Sequence, residues 1–238
     1  PDDMSKYLEQ VFSLEGQNAI VTSAATELGG AVVRGLAQSG AIVCGTDIHR
    51  FSESKLSQGG FYIRCNLDHA PQFQLLCEEV YRQYSQLDIL INVGEISAST
   101  QDLPRNLVNN FRQTVERQLK TAVRTSRTAA NYLKQSGGGS IINIISIKNA
   151  VGFPTDFSYI ATKNALLMMT KELSLELIKD NIRVNNIVLG SSQAAPDPER
   201  NDWQDLVKTV VYLATAGSDS MTGQDVFLVG DRVSTSSG

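Results

Sequence analysis

Three side chains between positions 146 and 163 have the types and spacing for proton transfer on an alcohol or a carbonyl. Tyr159 and Lys163 are four residues apart, so in a helix the ammonium group lies one turn from the phenol, on the same face. A cation near a phenol favours the phenolate and lowers a pKa that is ordinarily about 10. Ser146 follows a strand-like run, and its hydroxyl can hold a substrate oxygen. An isolated Tyr-x-x-x-Lys pair is usually ordinary helix spacing, so the surrounding sequence must decide.

Length and composition fit one globular domain with a sizeable core. The chain has 238 residues, of which 42% are hydrophobic and 19% charged, and no apolar run approaches the length of a membrane span. Because the formal charge is −4 and no basic stripe is present, we expect no nucleic-acid partner. The opening Pro1–Gln10 lacks the apolar core of a signal peptide, which favours the cytoplasm.

The cysteines and histidines show no spacing typical of metal ligands. They are Cys44, Cys65, Cys77, His49 and His69. Cys44 lies in a strand-like run and Cys77 on an apolar helical face, where a cysteine is ordinarily a small buried hydrophobe. We therefore expect reduced thiols and no metal.

Strand-like and helix-like segments alternate along the chain. The strand-like runs are Asn18–Thr22, Ala41–Thr46, Phe61–Cys65, Leu87–Ile91, Ser140–Ile145, Asn181–Val188 and Asp225–Val229. The helix-like segments are Thr26–Ser39, Pro71–Tyr84, Gln101–Gln135 with a break near Asn109-Asn110, Phe157–Lys179 and Trp203–Ala216. This alternation predicts a single α/β domain, a doubly wound seven-stranded parallel sheet with helices on both faces (Rossmann-like). We assign residues 13–233 to this domain, 1–12 to an N-terminal extension and 234–238 to a frayed tail.

From about Ser13 to Gly230, the sequence resembles the short-chain dehydrogenase/reductase family. The intervals between Ser146, Tyr159 and Lys163, after a strand and at a long helix, carry the resemblance. It implies that the tyrosine is the acid/base, that the lysine lowers its pKa and holds the nicotinamide ribose, and that the serine orients the substrate. A fourth family position, an asparagine, falls at Gln118, which keeps the amide but adds a methylene.

The turn after the first strand is where the pyrophosphate of a dinucleotide would lie, against the N-terminus of a helix that attracts anions. The family pattern maps onto Thr22–Gly29, where Gly29 is the one glycine kept. Ser23 replaces a glycine that makes the turn. Glu27 replaces another, and its carboxylate would lie near the phosphates unless it turns towards solvent. Taken alone, the segment is equally well interpreted as an ordinary helix start.

Later positions strengthen the prediction of a dinucleotide site. Asp47 ends the second strand, where a carboxylate accepts from ribose hydroxyls and repels a 2′-phosphate, so NAD is favoured over NADP, although Arg50 is nearby. Asn92 fits a family position after the fourth strand but is equally a candidate for a structural strand-end cap. The resemblance implies cofactor contacts at Ser23, Thr26, Leu28, Gly29, Asp47, Ile48, Asn66, Leu67, Asn92, Val93, Gly94, Tyr159, Lys163, Gly190 and Ser192.

These features predict an NAD(H)-dependent oxidoreductase that interconverts an alcohol and a carbonyl. The short segment Ser191–Asp202 stands where the family has a longer substrate lobe, which favours a small or polar substrate. The alternative is an inactive family member that serves as a dinucleotide-binding or structural module, since Glu27, Glu95, Gln118 and Leu189 depart from the pattern. The family's pairing of its two long helices implies a homodimer or homotetramer through residues 110–135 and 157–179.

Overall fold

Seven short strands rich in Ile and Val form the centre of the fold. A computed structural model describes residues 2–49, 59–94, 112, 115–146, 157–190 and 203–228, with the backbone alone at 2–3, 116 and 157–160. The strands are β1 (Asn18–Val21), β2 (Ile42–Asp47), β3 (Phe61–Arg64), β4 (Ile89–Val93), β5 (Gly139–Ser146), β6 (Ile182–Leu189) and β7 (Asp225–Leu228). Six α-helices lie in the described part: α1 (Asp2–Val11), α2 (Glu27–Gln38), α3 (Ala70–Tyr84), α4 (Thr121–Gln135), α5 (Phe157–Leu177) and α6 (Gln204–Ala214).

The strands pair in parallel in the order β3-β2-β1-β4-β5-β6-β7. This confirms the predicted seven-stranded parallel sheet. After β1 the chain builds outwards to β2 and β3, and with β4 it returns to the other side of β1. The order therefore reverses between β1 and β4, the place at which doubly wound sheets open a ligand crevice at the carboxyl ends of their strands.

Two apolar layers cover the two faces of the sheet. Alternate strand residues face opposite sides, so Ala19 and Val21 pack with α2 and α6, whereas Ile20 packs with α3, α4 and α5. Phe73 on α3 and Leu133 on α4 are fully buried in the second layer. Both faces are thus closed, as a parallel sheet requires, and the carboxyl edge of the strands is left for a site.

The element boundaries differ from the sequence prediction by one or two residues, with three larger differences. The polar N-terminal extension contains a helix, α1. The long helix before β5 begins with a π-helix, Val115–Lys120, ahead of α4. The helix after β5 changes at Leu177 into a 3₁₀ turn, Ile178–Asp180. The break predicted near Asn109-Asn110 and the tail 234–238 lie outside the described residues.

Candidate active site

A cavity of about 270 Å³ lies at the carboxyl ends of the strands, where the strand order reverses. Its walls come from the β1–α2 turn, the ends of β2 to β5, the π-helix, α4 and α5. The structure brings eleven of the sequence-predicted residues together around it: Ser23, Thr26, Asp47, Ile48, Asn66, Leu67, Asn92, Val93, Gly94, Gln118 and Lys163. Positions far apart in the chain therefore share one cleft.

The β1–α2 turn is made without the glycine that such turns favour. Ser23 takes a left-handed conformation, with φ of +50°, and its Oγ donates to the Val93 carbonyl at 3.2 Å. The Thr26 hydroxyl caps α2 by accepting from the Gly29 N–H at 3.0 Å. A Cβ on Gly29 would collide with the Ser23 carbonyl. Gly29 is needed because the first turn of α2 packs directly on the backbone of Ser23.

Glu27 does not line the cleft. It is the first residue of α2 and is exposed to solvent, which is the outward orientation that relieves repulsion of an anion in the cleft. Leu28 is buried in the core, so what it can offer a ligand is its backbone N–H. The first N–H groups of a helix have no partner within the helix, and this turn therefore keeps its capacity to bind an anion.

Asp47 ties the end of β2 to the β1–α2 turn. Its Oδ2 accepts from the Ala25 N–H at 3.2 Å and its Oδ1 from the His49 N–H at 3.0 Å. The carboxylate is 8% exposed and lines the cleft. Two ionised oxygens provide about four acceptor positions, so capacity remains for ribose hydroxyls.

Two side chains on β3 hold the loop that follows β2. The Arg64 Nε donates to the Ile48 carbonyl at 2.8 Å. The Tyr62 hydroxyl bonds to the carbonyls of Asp47, at 3.0 Å, and His49. Burial, and then the nearby Asp47 charge, raise the pKa of Tyr62 to about 12, so this hydroxyl stays protonated and can donate. The sequence analysis missed both residues because their role depends on strand pairing.

The other end of the cleft is formed in part by Lys163, one of the candidate catalytic residues. Lys163 is 1% exposed, which is rare for a lysine unless its charge is paired, and it lines the cleft. A Cβ on Gly94 would lie 2.8 Å from the Ile144 carbonyl and 4.0 Å from the Lys163 Nζ, so the glycine leaves room above the ammonium group. Ser146 is buried and is the last residue of β5, and it is not among the residues that line the cleft. Tyr159 lies on α5 one turn before Lys163, and its side chain is outside the described part.

The π-helix and the start of α4 form the remaining wall. Gln118 lies within the π-helix, and such wide turns occur frequently at functional sites. Within the described residues, Gln118 Oε1 and Thr121 Oγ1 are buried and have no hydrogen-bond partner. Both residues line the cleft. Unpartnered buried oxygens on a cleft wall fit a polar ligand or ordered water.

The side chain of Asn92 is used inside the protein. Its Nδ2 donates to Ser126 Oγ at 3.0 Å and to Asn143 Oδ1 at 2.9 Å, while its Oδ1 accepts from Thr125 Oγ1 at 2.8 Å. Both amide hydrogens of Asn92 are thereby bonded within the protein. This is what the interpretation of Asn92 as a structural strand-end cap predicts. Sequence reasoning missed Thr121 and Thr125, although both follow Gln118 at roughly helical intervals.

Several predicted positions do not line the cavity or are not described. The Gly190 N–H donates to the Leu228 carbonyl at 3.0 Å, and Gly190 is not among the cleft residues. Ser192, Arg50 and Glu95 lie outside the described residues.

The three cysteine side chains of the described residues are buried. Burial raises the pKa of the three thiols, Cys44, Cys65 and Cys77, so they stay protonated and are poor nucleophiles. Among the residues that the structure describes, no three His, Cys, Asp or Glu side chains are grouped as metal ligands. None of the described helices combines the length and the apolar character needed to cross a membrane.

Comparison with known proteins identifies the family. The family model for short chain dehydrogenases matches residues 17–205. The chain is 29% identical to 3-oxoacyl-(acyl-carrier-protein) reductase of Rickettsia bellii, over 92% of this chain and 98% of that protein. It is 30% identical to L-fucose dehydrogenase of Oryctolagus cuniculus, over 77% of this chain and 68% of that protein. A gluconate 5-dehydrogenase from Burkholderia cenocepacia, crystallised with NADP and tartrate, has a TM-score of 0.74 at 22% identity and covers 94% of this chain and 97% of its own.

The fold and the cleft define a dinucleotide-binding α/β protein with a Rossmann-like sheet. The chain belongs to the short-chain dehydrogenase/reductase family, and it is an oxidoreductase of that type.

We predict a stability difference at the strained turn. Ser23→Gly and Ser23→Ala both lose the hydrogen bond to Val93, but alanine keeps the unfavourable φ of +50°. The glycine variant should therefore be more stable than the alanine variant by about 1 kcal/mol. Urea unfolding of both variants measures the difference.

Ser136 provides the control for this comparison, because its φ is −79°. There the order should reverse, since glycine has the larger entropy loss at an ordinary helical conformation. The same order at both sites would contradict the strain at Ser23.

Proposed function

We propose that the protein interconverts an alcohol and a carbonyl on a small or polar substrate with NAD(H), with Tyr159 as the acid/base. The observation that supports this most is the single cleft shared by the β1–α2 turn, Asp47 and the buried Lys163. A dinucleotide needs an anion-binding turn, a ribose acceptor and a group near its reactive ring, and these three features supply them in that order.

The residues in the cleft fit such a cofactor. The N–H groups at the start of α2 would hold the pyrophosphate, the Asp47 carboxylate would accept from the adenosine ribose, and Lys163 would hold the nicotinamide ribose. When bound, the nicotinamide supplies or accepts the hydride. The buried oxygens of Gln118 and Thr121 support a polar occupant of the same cleft.

The chain's own residues would bind the substrate oxygen and move its proton. Ser146 would donate a hydrogen bond to that oxygen, and the Tyr159 phenol would give it a proton in reduction or take one in oxidation. Lys163 would favour the phenolate through its charge. The helical spacing of Tyr159 and Lys163 on α5 supports this pairing.

The preference for NAD rests on the charge of Asp47. A 2′-phosphate at the adenosine ribose would lie against this buried carboxylate, whose repulsion is weakly screened. The Burkholderia cenocepacia neighbour was crystallised with NADP, so the fold itself does not exclude NADP. A polar substrate is supported by the names of two similar proteins. The Oryctolagus cuniculus relative is an L-fucose dehydrogenase, and the Burkholderia cenocepacia neighbour is a gluconate 5-dehydrogenase.

Tyr159→Phe tests the proposed chemistry. The change removes the transferable proton and keeps the ring, so the rate should fall by about 10²–10⁴-fold with folding and NAD(H) affinity unchanged. A panel of small polar alcohols and ketones is first screened by the nicotinamide absorbance to find a turnover. Tyr7→Phe is the control, because Tyr7 is exposed on α1 and is absent from the cleft lining.

Lys163→Ala tests both roles given to the lysine. If the lysine lowers the Tyr159 pKa and also holds the nicotinamide ribose, the rate and the dinucleotide affinity should both fall. If wild-type protein binds NAD(H) but turns over no member of a broad panel, and Tyr159→Phe leaves the cellular role intact, the inactive-module alternative is correct.

Asp47→Asn tests cofactor choice. The variant removes one negative charge with little change of shape, so the ratio of NADP affinity to NAD affinity should rise roughly tenfold. Isothermal titration of both dinucleotides gives the ratio. Asp68→Asn removes the same charge from the cleft lining at another position, and it should change the ratio much less. Equal effects of the two variants would contradict a specific role for Asp47.

We also propose a homo-oligomer, a dimer or tetramer formed through the two long helices, and a cytoplasmic location. The outer face of α5 and the following turn carry exposed apolar side chains, with Met168 and Ile178 at 57% and Leu175 at 74% exposure. The Arg127–Glu176 ion pair, at 2.8 Å, joins α4 to α5 beside this face. An apolar face of this kind supports contact with a second copy.

Leu175→Glu should therefore dissociate the oligomer, as measured by light scattering at micromolar concentration. Leu75→Glu is the matched control, because Leu75 is 62% exposed but lies on α3. A wild-type monomer, or equal dissociation by both variants, would contradict assembly through α5.

A further inference from the structure

Four polar side chains stand side by side across β4, β5, β6 and β7. The parallel register pairs Asn92 with Asn143, Asn143 with Asn186, and Asn186 with Asp225. All four lie on the sheet face covered by α4 and α5, beside the apolar cluster that includes Leu90, Ile141 and Val184. The Thr170 hydroxyl on α5 bridges the side chains of Asn143 and Asn186. We call Asn92, Asn143, Thr170, Asn186 and Asp225 the polar ladder.

Hydrogen bonds join every member of the polar ladder to the next. Asn92 Nδ2 donates to Asn143 Oδ1 at 2.9 Å, and Asn143 Nδ2 donates to Thr170 Oγ1 at 2.9 Å. Thr170 Oγ1 donates to Asn186 Oδ1 at 2.6 Å, and Asn186 Nδ2 donates to Asp225 Oδ1 at 2.7 Å. Outside the ladder, Lys171 Nζ lies 3.3 Å from Asp225 Oδ2. The series runs from the cleft floor to the β7 edge of the sheet.

The carboxylate at the outer end dictates the direction of every bond. An ionised Asp225 can only accept, so Asn186 must present its NH₂ group and turn its oxygen to Thr170. The single hydroxyl hydrogen of Thr170 must then point to Asn186, and Thr170 must accept from Asn143. The same reasoning turns the Asn143 oxygen towards Asn92.

The direction is fixed as far as the cleft. With its NH₂ group facing Asn143 and Ser126, Asn92 has its oxygen left for the Thr125 hydroxyl at 2.8 Å. Asn92, Asn143 and Thr125 all line the cleft. The donor and acceptor pattern of the cleft floor therefore depends on a charge three strands away.

We propose that Asp225 is a remote positioning residue of the dinucleotide cleft: its charge orients the amides of the polar ladder and thereby holds Asn92 and α4 in the arrangement that binds the cofactor. This inference rests on the proposed function, because it takes the ligand of the cleft to be a nicotinamide dinucleotide. Asp225 does not line the cleft and touches no reacting atom.

Removal of the charge has a specific consequence. In Asp225→Asn, the Lys171 ammonium attracts the one amide oxygen, and the new NH₂ group then faces Asn186. Asn186 must turn its oxygen towards it, which reverses Thr170, Asn143 and Asn92 in turn. Asn92 then presents its NH₂ group to Thr125, whose hydroxyl is left with the Thr121 and Ala122 carbonyls as acceptors. The donor and acceptor pattern of the cleft floor is thereby reversed.

The experiment compares the side-chain amide signals and the NAD(H) affinity of matched variants. In Asp225→Asn, the side-chain NH₂ resonances of Asn92 and Asn143 should shift in the protein without cofactor, and NAD(H) affinity should fall roughly fivefold. Thr170→Val, which removes the hydroxyl with little change of shape, should also weaken binding. Lys171→Met leaves the carboxylate in place, and both readouts should stay unchanged.

The double variant Asp225→Asn/Lys171→Met distinguishes orientation from mere loss of stability. Without the ammonium, the amide oxygen at position 225 can again face Asn186, so affinity and resonances should return towards wild type. Unshifted Asn92 and Asn143 signals in Asp225→Asn, or no recovery in the double variant, would overturn the inference. If the wild-type protein binds no dinucleotide, the proposed function fails, and the resonances in the free protein still decide whether Asp225 sets the direction of the ladder.

Discussion

The reversal of strand order between β1 and β4 is the constraint on which the site depends. The chain leaves β1 towards β2 on one side, while β4 pairs with β1 on the other. Connections therefore diverge from this point, and a cleft opens at the carboxyl ends of the two strands. Every candidate cofactor residue of the cleft is within a few residues of a strand end or on a helix that faces this gap.

Two hydroxyl groups join the end of β1 and the turn that follows it to the end of β4. The Thr22 Oγ1 accepts from the Val93 N–H at 2.9 Å, and the Ser23 Oγ donates to the Val93 carbonyl. On the other side, the Gly94 N–H donates to the Ile144 carbonyl at 3.0 Å. The end of β4 is thus fixed by both neighbouring strands, and the serine that replaces a turn glycine takes part. The serine makes this hydrogen bond possible, because the glycine that it replaces has no side chain to reach Val93.

The sequence was sufficient for the fold and for much of the cleft, because both follow from local patterns. Alternating apolar segments predicted the parallel sheet, and a parallel sheet brings its strand ends to one edge. The π-helix that contains Gln118 was not predicted, because one extra residue in a turn does not change the apolar pattern enough to be recognised. The orientation of Glu27 was equally undetermined, because it depends on how α2 begins. Tyr62 and Arg64 act through strand register, which a sequence gives only after the strands are paired.

The two faces of the sheet differ in what their buried side chains contribute. The face under α2 and α6 buries a large apolar cluster together with a few polar side chains such as Ser140 and Asn185. Burial of apolar surface contributes about 25 cal/mol per Å² to folding. The face under α4 and α5 carries the polar ladder and the buried Lys163 beside its apolar residues. A buried hydrogen bond contributes a net of only about 1 kcal/mol, so apolar side chains at these positions would hold the sheet as well or better. What the polar groups add is direction, because an amide bonded to a carboxylate has one orientation. That direction reaches the cleft through Asn92 and Asn143, where an unambiguous arrangement of donors and acceptors matters for a ligand.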